Sequence, residues 1–581
     1  MPQQASAKQN LRTVFDKISG LFQAGRLREA DQAAENVLAE HPGNVNFLHL
    51  AGLIKQNLGD HALAEKLLSS AHALRPEQGD ILHNLAVFYV SRGRMAEAQP
   101  LYARLVEIAP TQAPLWATYG HILRNEGHLR AALEAFEKAQ SLKPDAGLEG
   151  AIAVTQRQLA LWDVPPLAPG KITAALAPIF VEDPAQHLAI VRRASEQVKP
   201  VSRYEAKPKK EDRLRIGYLS CDFHEHATSH LIAELFALHD RANFEVFVYS
   251  YGPQDDAPIR ARLKQGAEHW MECGGPPPAA VAERIFRDRI QVLVDLKGYT
   301  RGGMPEVLAA RPAPVIMEWL GYPGSMGADF VDYTIADATL VPPELRAQYP
   351  EKIVFMPGSY QINDRQRPVA DVKTRAEYGL PEEAFVLCCF NQVYKITPQI
   401  FSVWMSVMCN DAQTVLWLFA THEEAVSQLQ AEAKARAVDP ARLIFAPKLP
   451  QAEHLARYRA ADLVLDTSPY GGHTTTSDAL WAGAPVVALQ GQSFAARVSA
   501  SLLKAAGLPD FVTPSLSVYE AKIREILARP QSLEPARKRL QNRTELLLFN
   551  THQFVKNLEN AYTRAYGFYE KSQEFSDIRF E

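Results

Sequence analysis

The chain has 581 residues, 47% of them hydrophobic and 22% charged, with a formal net charge of −4. That length accommodates several domains with separate cores, and the composition is that of a globular protein, not of a disordered or fibrous chain. Near-neutral charge gives no electrostatic footprint for nucleic acid, and the cysteines at 221, 273, 388, 389 and 409 form no Cys-x-x-Cys pair, which excludes a zinc ribbon or disulfide framework.

From about Leu11 the sequence repeats itself. Pro42, Pro76, Pro110 and Pro144 stand 34 residues apart, and so do Gly25, Gly59, Gly93 and Gly127. Ala30, Ala64, Ala98 and Ala132 keep the same step, five residues after the glycine and twelve before the proline. Three locked registers predict helix pairs: the glycine makes the turn, the alanine lets the second helix pack closely, and the proline ends it. The pattern resembles the tetratricopeptide repeat, with four copies over residues 11–146. Leu115 to Pro144 is the clearest copy and the first is the loosest. Stacked helix pairs present a concave surface suited to peptide segments.

Residues 147–212 read as a connector, with the proline-rich "DVPPLAPGK", a helical stretch, and the charged "EQVKPVSRYEAKPKKEDR". From Arg213 the pattern changes to apolar runs alternating with amphipathic helices. "RLRIGYLS", "FEVFVYSY", "QVLVDL", "VIMEWLGY" and "YTIAD" are predicted strands of one α/β lobe, residues 213–375. "FVLCCFN", "TVLWLF", "RLIFAP", "DLVLD" and "PVVAL" are those of a second, residues 376–581. The fold class is α followed by α/β: a repeat solenoid, then two Rossmann-like lobes with a cleft between them and ligand groups at the carboxyl ends of the strands.

Those ends carry the unusual residues. "TSPYGGHTTTSDALWAG" follows "DLVLD" with two glycines, a histidine and three threonines where a strand turns into a helix. A helix start offers unpaired amides and partial positive charge to an anion, and Gly471 and Gly472 allow close approach to the backbone. The alternative is a plain turn whose helix is capped by Thr476 or Ser477. Gln392 and Lys395 follow "FVLCCFN", and Gln451 and His454 follow "RLIFAP", so three loops of one lobe share a rim. Their convergence favours a phosphate cradle with Lys395 as its cation.

In the first lobe "CDFHEHATSHL" holds His224, His226 and His230. A zinc site built on His226 and His230 lacks the glutamate of His-Glu-x-x-His, because Ala227 occupies that place. One of the three is instead a candidate acid, base or hydrogen-bond donor at the cleft, and for His224 and His230 the alternative is a histidine that caps a helix or is satisfied by packing. "EWLGYPGSMGADFVDY" places glycines directly after a strand, where a ligand could meet backbone amides. The chain has no Asp-x-Asp triplet, so no metal is expected at a diphosphate and its charge falls to Lys395, hydroxyls and helix amides.

"GYLSCDFHEHATSHL", "DLKGYTRG", "RPAPVIMEWLGYPGSMGADFVDY", "FNQVYKI" and "GGHTTTSDALWAGAPVV" together resemble the signature blocks of the O-linked N-acetylglucosamine transferase family. In that family tetratricopeptide repeats precede a two-lobed glycosyltransferase of the GT-B fold. The resemblance covers about residues 11–146 and 213–570. It implies metal-independent, inverting transfer of N-acetylglucosamine from a UDP donor to protein serine or threonine. The UDP-sugar is then a co-substrate and no cofactor is expected. It also implies that Lys395 stabilises the departing β-phosphate, that His473, Thr474 and Thr475 bind the diphosphate, and that Gln392 reaches phosphate. His454 packs on the uracil, Asp478 holds the ribose, and Leu449 and Gln451 belong to the donor site. Leu320, Gly321 and Pro323 shape the sugar pocket. His226 matches a cleft histidine that is a candidate general base or a positioner of the acceptor, and the donor α-phosphate is another candidate acceptor of the proton.

The sequence departs from the animal members, which carry more repeats and an insertion between the lobes, and so resembles a compact bacterial type. Gln451 stands where those members have lysine, and His224 and Glu225 replace a Gly-Asn pair. SPINDLY-type plant relatives imply an alternative, protein fucosylation from GDP-fucose. A scaffold with a degenerate transferase domain is another. The expected protein is cytoplasmic, has no membrane span, and meets acceptor proteins or peptides through the repeat groove.

Overall fold

The computed structural model describes residues 2–205 and 212–580, so residues 206–211 of the charged connector lie outside the described residues. The chain divides into two compact units, one ending at Thr155 and the other beginning at Gln156.

The first unit is built of paired helices. Gly25, Gly59, Gly93 and Gly127 all take positive φ, between 72° and 86°, in the turns joining the two helices of each repeat. Ala30, Ala64, Ala98 and Ala132 are fully buried. The second helices end at Glu40, Leu74, Ile108 and Leu142, each two residues before the repeat proline. One more helix, Ala146–Gln158, follows the fourth repeat, started by Asp145, whose carboxylate accepts from the amides of Gly147 and Leu148. Its Leu148 and Ala151 pack with Leu123 and Phe136, so the repeat unit runs past residue 146. Without it the last repeat would leave an apolar face in water.

The second unit holds two parallel sheets. Among the described residues the first contains β1 (Leu214–Ser220), β2 (Phe244–Ser250), β3 (His269–Glu272), β4 (Val292–Asp295), β5 (Val315–Glu318), β6 (Tyr333–Ala336) and β7 (Lys352–Phe355). The second contains β8 (Phe385–Cys389), β9 (Thr414–Phe419), β10 (Leu443–Ala446), β11 (Leu463–Leu465), β12 (Val486–Leu489) and β13 (Val512–Thr513). A final strand, β14 (Ile578–Arg579), returns to pair with β7. The orders are β14-β7-β6-β5-β4-β1-β2-β3 and β10-β9-β8-β11-β12-β13. Ile216 of β1 pairs with Val246 and Val292 on its two sides, and all three are fully buried, as expected of a sheet covered on both faces.

The connector helix Pro184–Gln197 packs on the first lobe: Tyr322 Oη lies 3.0 Å from His187 Nε2, and Ser195 Oγ donates to the Gly327 carbonyl at 2.9 Å. The last helix, Thr551–Glu570, also reaches that lobe. Its Glu559 meets His239 at 2.9 Å and its Tyr562 hydroxyl meets that of Tyr218 at 3.0 Å. With β14, which pairs with β7, it attaches the end of the chain to the first sheet.

Candidate active site

Two loops at the carboxyl ends of β8 and β11 close on each other. Lys395, at the end of the short 3-10 turn Val393–Lys395, donates from Nζ to the Gly471 carbonyl at 2.9 Å and sits 3.9 Å from the Tyr470 ring centroid. Thr475 donates to Asn391 Oδ1 at 2.6 Å, and Asn391 Nδ2 donates to Thr467 Oγ1 at 3.0 Å. Gln392 is exposed at the same rim.

The helix after the glycines spans Thr474–Ala482 and begins at His473 without any side-chain cap. Neither Thr476 nor Ser477 caps it. Both lie buried in its first turn, Thr476 against Ser499 at 2.8 Å and Ser477 donating to Asn363. An uncapped start keeps its amides available and its partial positive charge uncompensated, which suits an anion. Gly472 is needed here for packing: a β-carbon would collide with the hydroxyls of Thr475 and Thr476.

The electrostatics follow from burial. Lys395 is pulled down to about 8 by desolvation, against the opposing pull of Asp466 and Cys389. Asp466, beneath the glycines, is pushed up to about 6 by burial and accepts from the Gly472 amide at 2.5 Å. Burial, and then the nearby Lys395, brings His473 down to about 3, so its imidazole is neutral. Its Nε2 donates to the Ala495 carbonyl at 3.3 Å, so that ring nitrogen is already engaged.

The third loop joins through aromatic packing. Leu449 is half-buried before the helix Gln451–Arg457, which Gln451 begins. His454 packs on Phe390, with ring centroids 5.6 Å apart, and receives Arg457 at Nδ1. Burial and Arg457 lower His454 to about 3, leaving a neutral ring. Asp478, buried on the Thr474–Ala482 helix, accepts from Arg367 at 2.7 Å.

On the first lobe, His226 precedes the helix Ala227–Leu231, and its Nδ1 accepts from the Thr228 amide at 3.2 Å. That assigns the ring proton to Nε2. Burial lowers the pKa of His226, although Asp222, 3.6 Å from Nδ1, opposes the shift. Asp222 is in turn held by buried Lys297 at 2.7 Å. His230 bonds Glu225 at 2.7 Å, so the two histidines do not form a ligand pair on one helix face. Among the described residues, Glu245, Glu268 and His269 have ligand spacing for a metal, but they lie at the opposite ends of their strands and pair with Arg213, Arg215 and Arg241.

Leu320, two residues after the end of β5, is buried with φ at 73°, a strained conformation for a branched side chain. Gly321 follows because a β-carbon there would collide with the Leu296 carbonyl. Pro323 is buried in the same turn.

Of the residues singled out in the sequence, the structure brings Lys395 against the glycine turn; Asn391, Arg367, Tyr470 and Lys297, which it places around them, were not singled out. Tyr470 carried a readable signal, a single aromatic within a polar glycine turn. The others are defined by partners 75 to 111 residues away.

A family model described as glycosyl transferase family 41 matches residues 186–373 and 367–558, and tetratricopeptide repeat models match residues 57–122 and 113–146. A probable UDP-N-acetylglucosamine–peptide N-acetylglucosaminyltransferase SEC of Arabidopsis thaliana is 36% identical over 62% of this chain and 38% of its own length. A UDP-N-acetylglucosamine–peptide N-acetylglucosaminyltransferase of Caenorhabditis elegans is 28% identical over 63% of this chain and 42% of its own length. The matches therefore span about two fifths of these curated relatives. An O-GlcNAc transferase mutant of Thermobaculum terrenum aligns over 97% of this chain and 99% of its own, with 25% identity and a TM-score of 0.63. The chain belongs to glycosyl transferase family 41.

Proposed function

We propose that the chain transfers N-acetylglucosamine from UDP-N-acetylglucosamine to serine or threonine hydroxyls of proteins, with inversion and without a metal. The observation that carries this reading is the Lys395 ammonium lying against the uncapped start of the Thr474–Ala482 helix. A diphosphate set there would meet backbone amides and a cation where its charge grows as the sugar leaves. The acceptor hydroxyl attacks the anomeric carbon on the face opposite the diphosphate, and the bond from that carbon to the β-phosphate oxygen breaks. Lys395 meets the charge on that oxygen, with the Thr474 and Thr475 amides and Gln392 beside it. His454 takes the base, Asp478 the ribose, and Leu320, Gly321 and Pro323 the sugar, while Leu449 and Gln451 border the nucleotide.

His226 positions the acceptor in this reading. A ring whose Nδ1 already accepts a backbone hydrogen bond presents Nε2–H to the cleft, and so donates instead of taking a proton. A donor phosphate oxygen then receives the acceptor's proton.

Acceptor proteins are proposed to approach as extended segments, with the repeat groove as a docking surface. The reading places the chain in the cytoplasm. Among the described residues no helix is long and apolar enough to cross a membrane.

Thermal unfolding with UDP, UDP-N-acetylglucosamine, UDP-glucose or GDP-fucose tests the donor site, because a ligand that binds only the folded state raises the unfolding temperature. Stabilisation by the uridine ligands supports the proposal. Stabilisation by GDP-fucose alone moves the chain to fucosyl transfer, and no stabilisation by any of them favours a scaffold.

A further inference from the structure

Lys395 is held from two sides. The Gly471 carbonyl accepts from its ammonium at 2.9 Å, and the Tyr470 ring stands 3.9 Å from the same nitrogen. At that distance the negative face of an aromatic ring attracts a cation. The backbone that carries the ring is tied down: Thr467 Oγ1 donates to the Tyr470 carbonyl at 2.7 Å, and Thr397 Oγ1 to the Ser468 carbonyl at 3.1 Å. The Tyr394 and His473 rings flank it, with centroids 6.3 and 5.2 Å away. A lysine has four side-chain torsions, so an ammonium at a cleft rim would otherwise spread over many rotamers.

We propose that Tyr470 is a positioning residue for Lys395, its ring holding the ammonium beside the start of the Thr474–Ala482 helix and favouring the charged form. This rests on the reading of Lys395 as the group that meets the donor diphosphate. The titratable groups facing the ammonium are Asp466 and Cys389, which favour its charge, and His473, which is neutral. Desolvation opposes all of these, so the ring's contribution bears directly on how much Lys395 is charged near neutral pH. Phenylalanine would keep the attractive face; leucine and methionine would keep bulk without it.

The test uses the full chain and its Tyr470→Phe, Tyr470→Leu and Tyr470→Met variants. Acetylation of Lys395 by a small acylating reagent is followed against pH by mass spectrometry of its peptide, without any donor. Circular dichroism reports whether each variant folds. The wild type and Tyr470→Phe should share a midpoint, and Tyr470→Leu and Tyr470→Met should fall below it by about 0.5 to 1 pH unit. In transfer assays kcat should drop about tenfold in the leucine and methionine variants and recover with phenylalanine. An unchanged midpoint in the leucine or methionine variant overturns the proposal, and so does a phenylalanine variant that behaves like leucine. If one aliphatic variant fails to fold, the other and phenylalanine decide. A wild type that shows the titration pattern but transfers no sugar would refute the transferase reading and leave the positioning role intact.

Discussion

Arg367 donates through Nη1 to Asp478 Oδ1 at 2.7 Å, with both side chains almost wholly buried. Burial pulls the arginine down and pushes the carboxyl up, each against its partner's charge, so neither is accommodated alone. The pair fixes the segment leaving the first lobe to the cradle helix of the second. Arg367→Met leaves a buried carboxylate unpaired and should destabilise the catalytic unit by about 3–5 kcal/mol, read by denaturant unfolding. A loss below about 1 kcal/mol would show that the pair is not what secures this contact.

Donor affinity should depend on pH through Lys395. Its folded pKa, about 8, lies below the ordinary lysine value, so the free protein loses the cation as pH rises through 8. Binding a diphosphate favours the charged form and takes up a proton. Affinity for UDP-N-acetylglucosamine should therefore be flat below about pH 7.5 and fall by up to about tenfold per unit above pH 8. Titration calorimetry in buffers of different ionisation heat measures both the affinity and the proton uptake. The same profile in Lys395→Met would remove Lys395 from the explanation.

His226 separates a positioning histidine from a general base. Asparagine at 226 retains a side-chain N–H that can donate but has no basic nitrogen. His226→Asn should keep kcat/KM within about tenfold of wild type, whereas loss of a general base costs about 10²–10⁴. Steady-state transfer kinetics with a serine peptide decide between them.

Gly472→Ala introduces a β-carbon where the Thr475 and Thr476 hydroxyls stand. The helix start must shift to admit it, at about 1–3 kcal/mol. Donor affinity should fall at least tenfold even in variant protein that remains folded, as measured by equilibrium binding. Unchanged affinity would mean that this turn does not form the cradle.

The repeats were legible because their three registers each report a local requirement: positive φ at Gly59, close packing at Ala64, a helix stop at Pro76. The strands that were found, such as β1 and β12, are buried apolar runs. β3, with the half-exposed sequence HWME, and the two-residue β13 and β14 gave no comparable signal. Capping at Thr476 or Ser477 was the alternative reading of the Thr474–Ala482 helix, because threonine and serine favour caps; here both turn inward to partners 23 and 114 residues away. Arg367 and Asn391 were invisible for the same reason, since a side chain's partner across the fold leaves no trace in local pattern.

The most direct measurement is transfer of radiolabelled N-acetylglucosamine from its UDP donor to serine and threonine peptides, by the wild-type chain and by Lys395→Met, with folding of both checked by circular dichroism. The account predicts label on the hydroxyls with the wild type and a loss of about 10²–10³-fold in kcat with the folded variant. A folded Lys395→Met protein that transfers the sugar at the wild-type rate would contradict it.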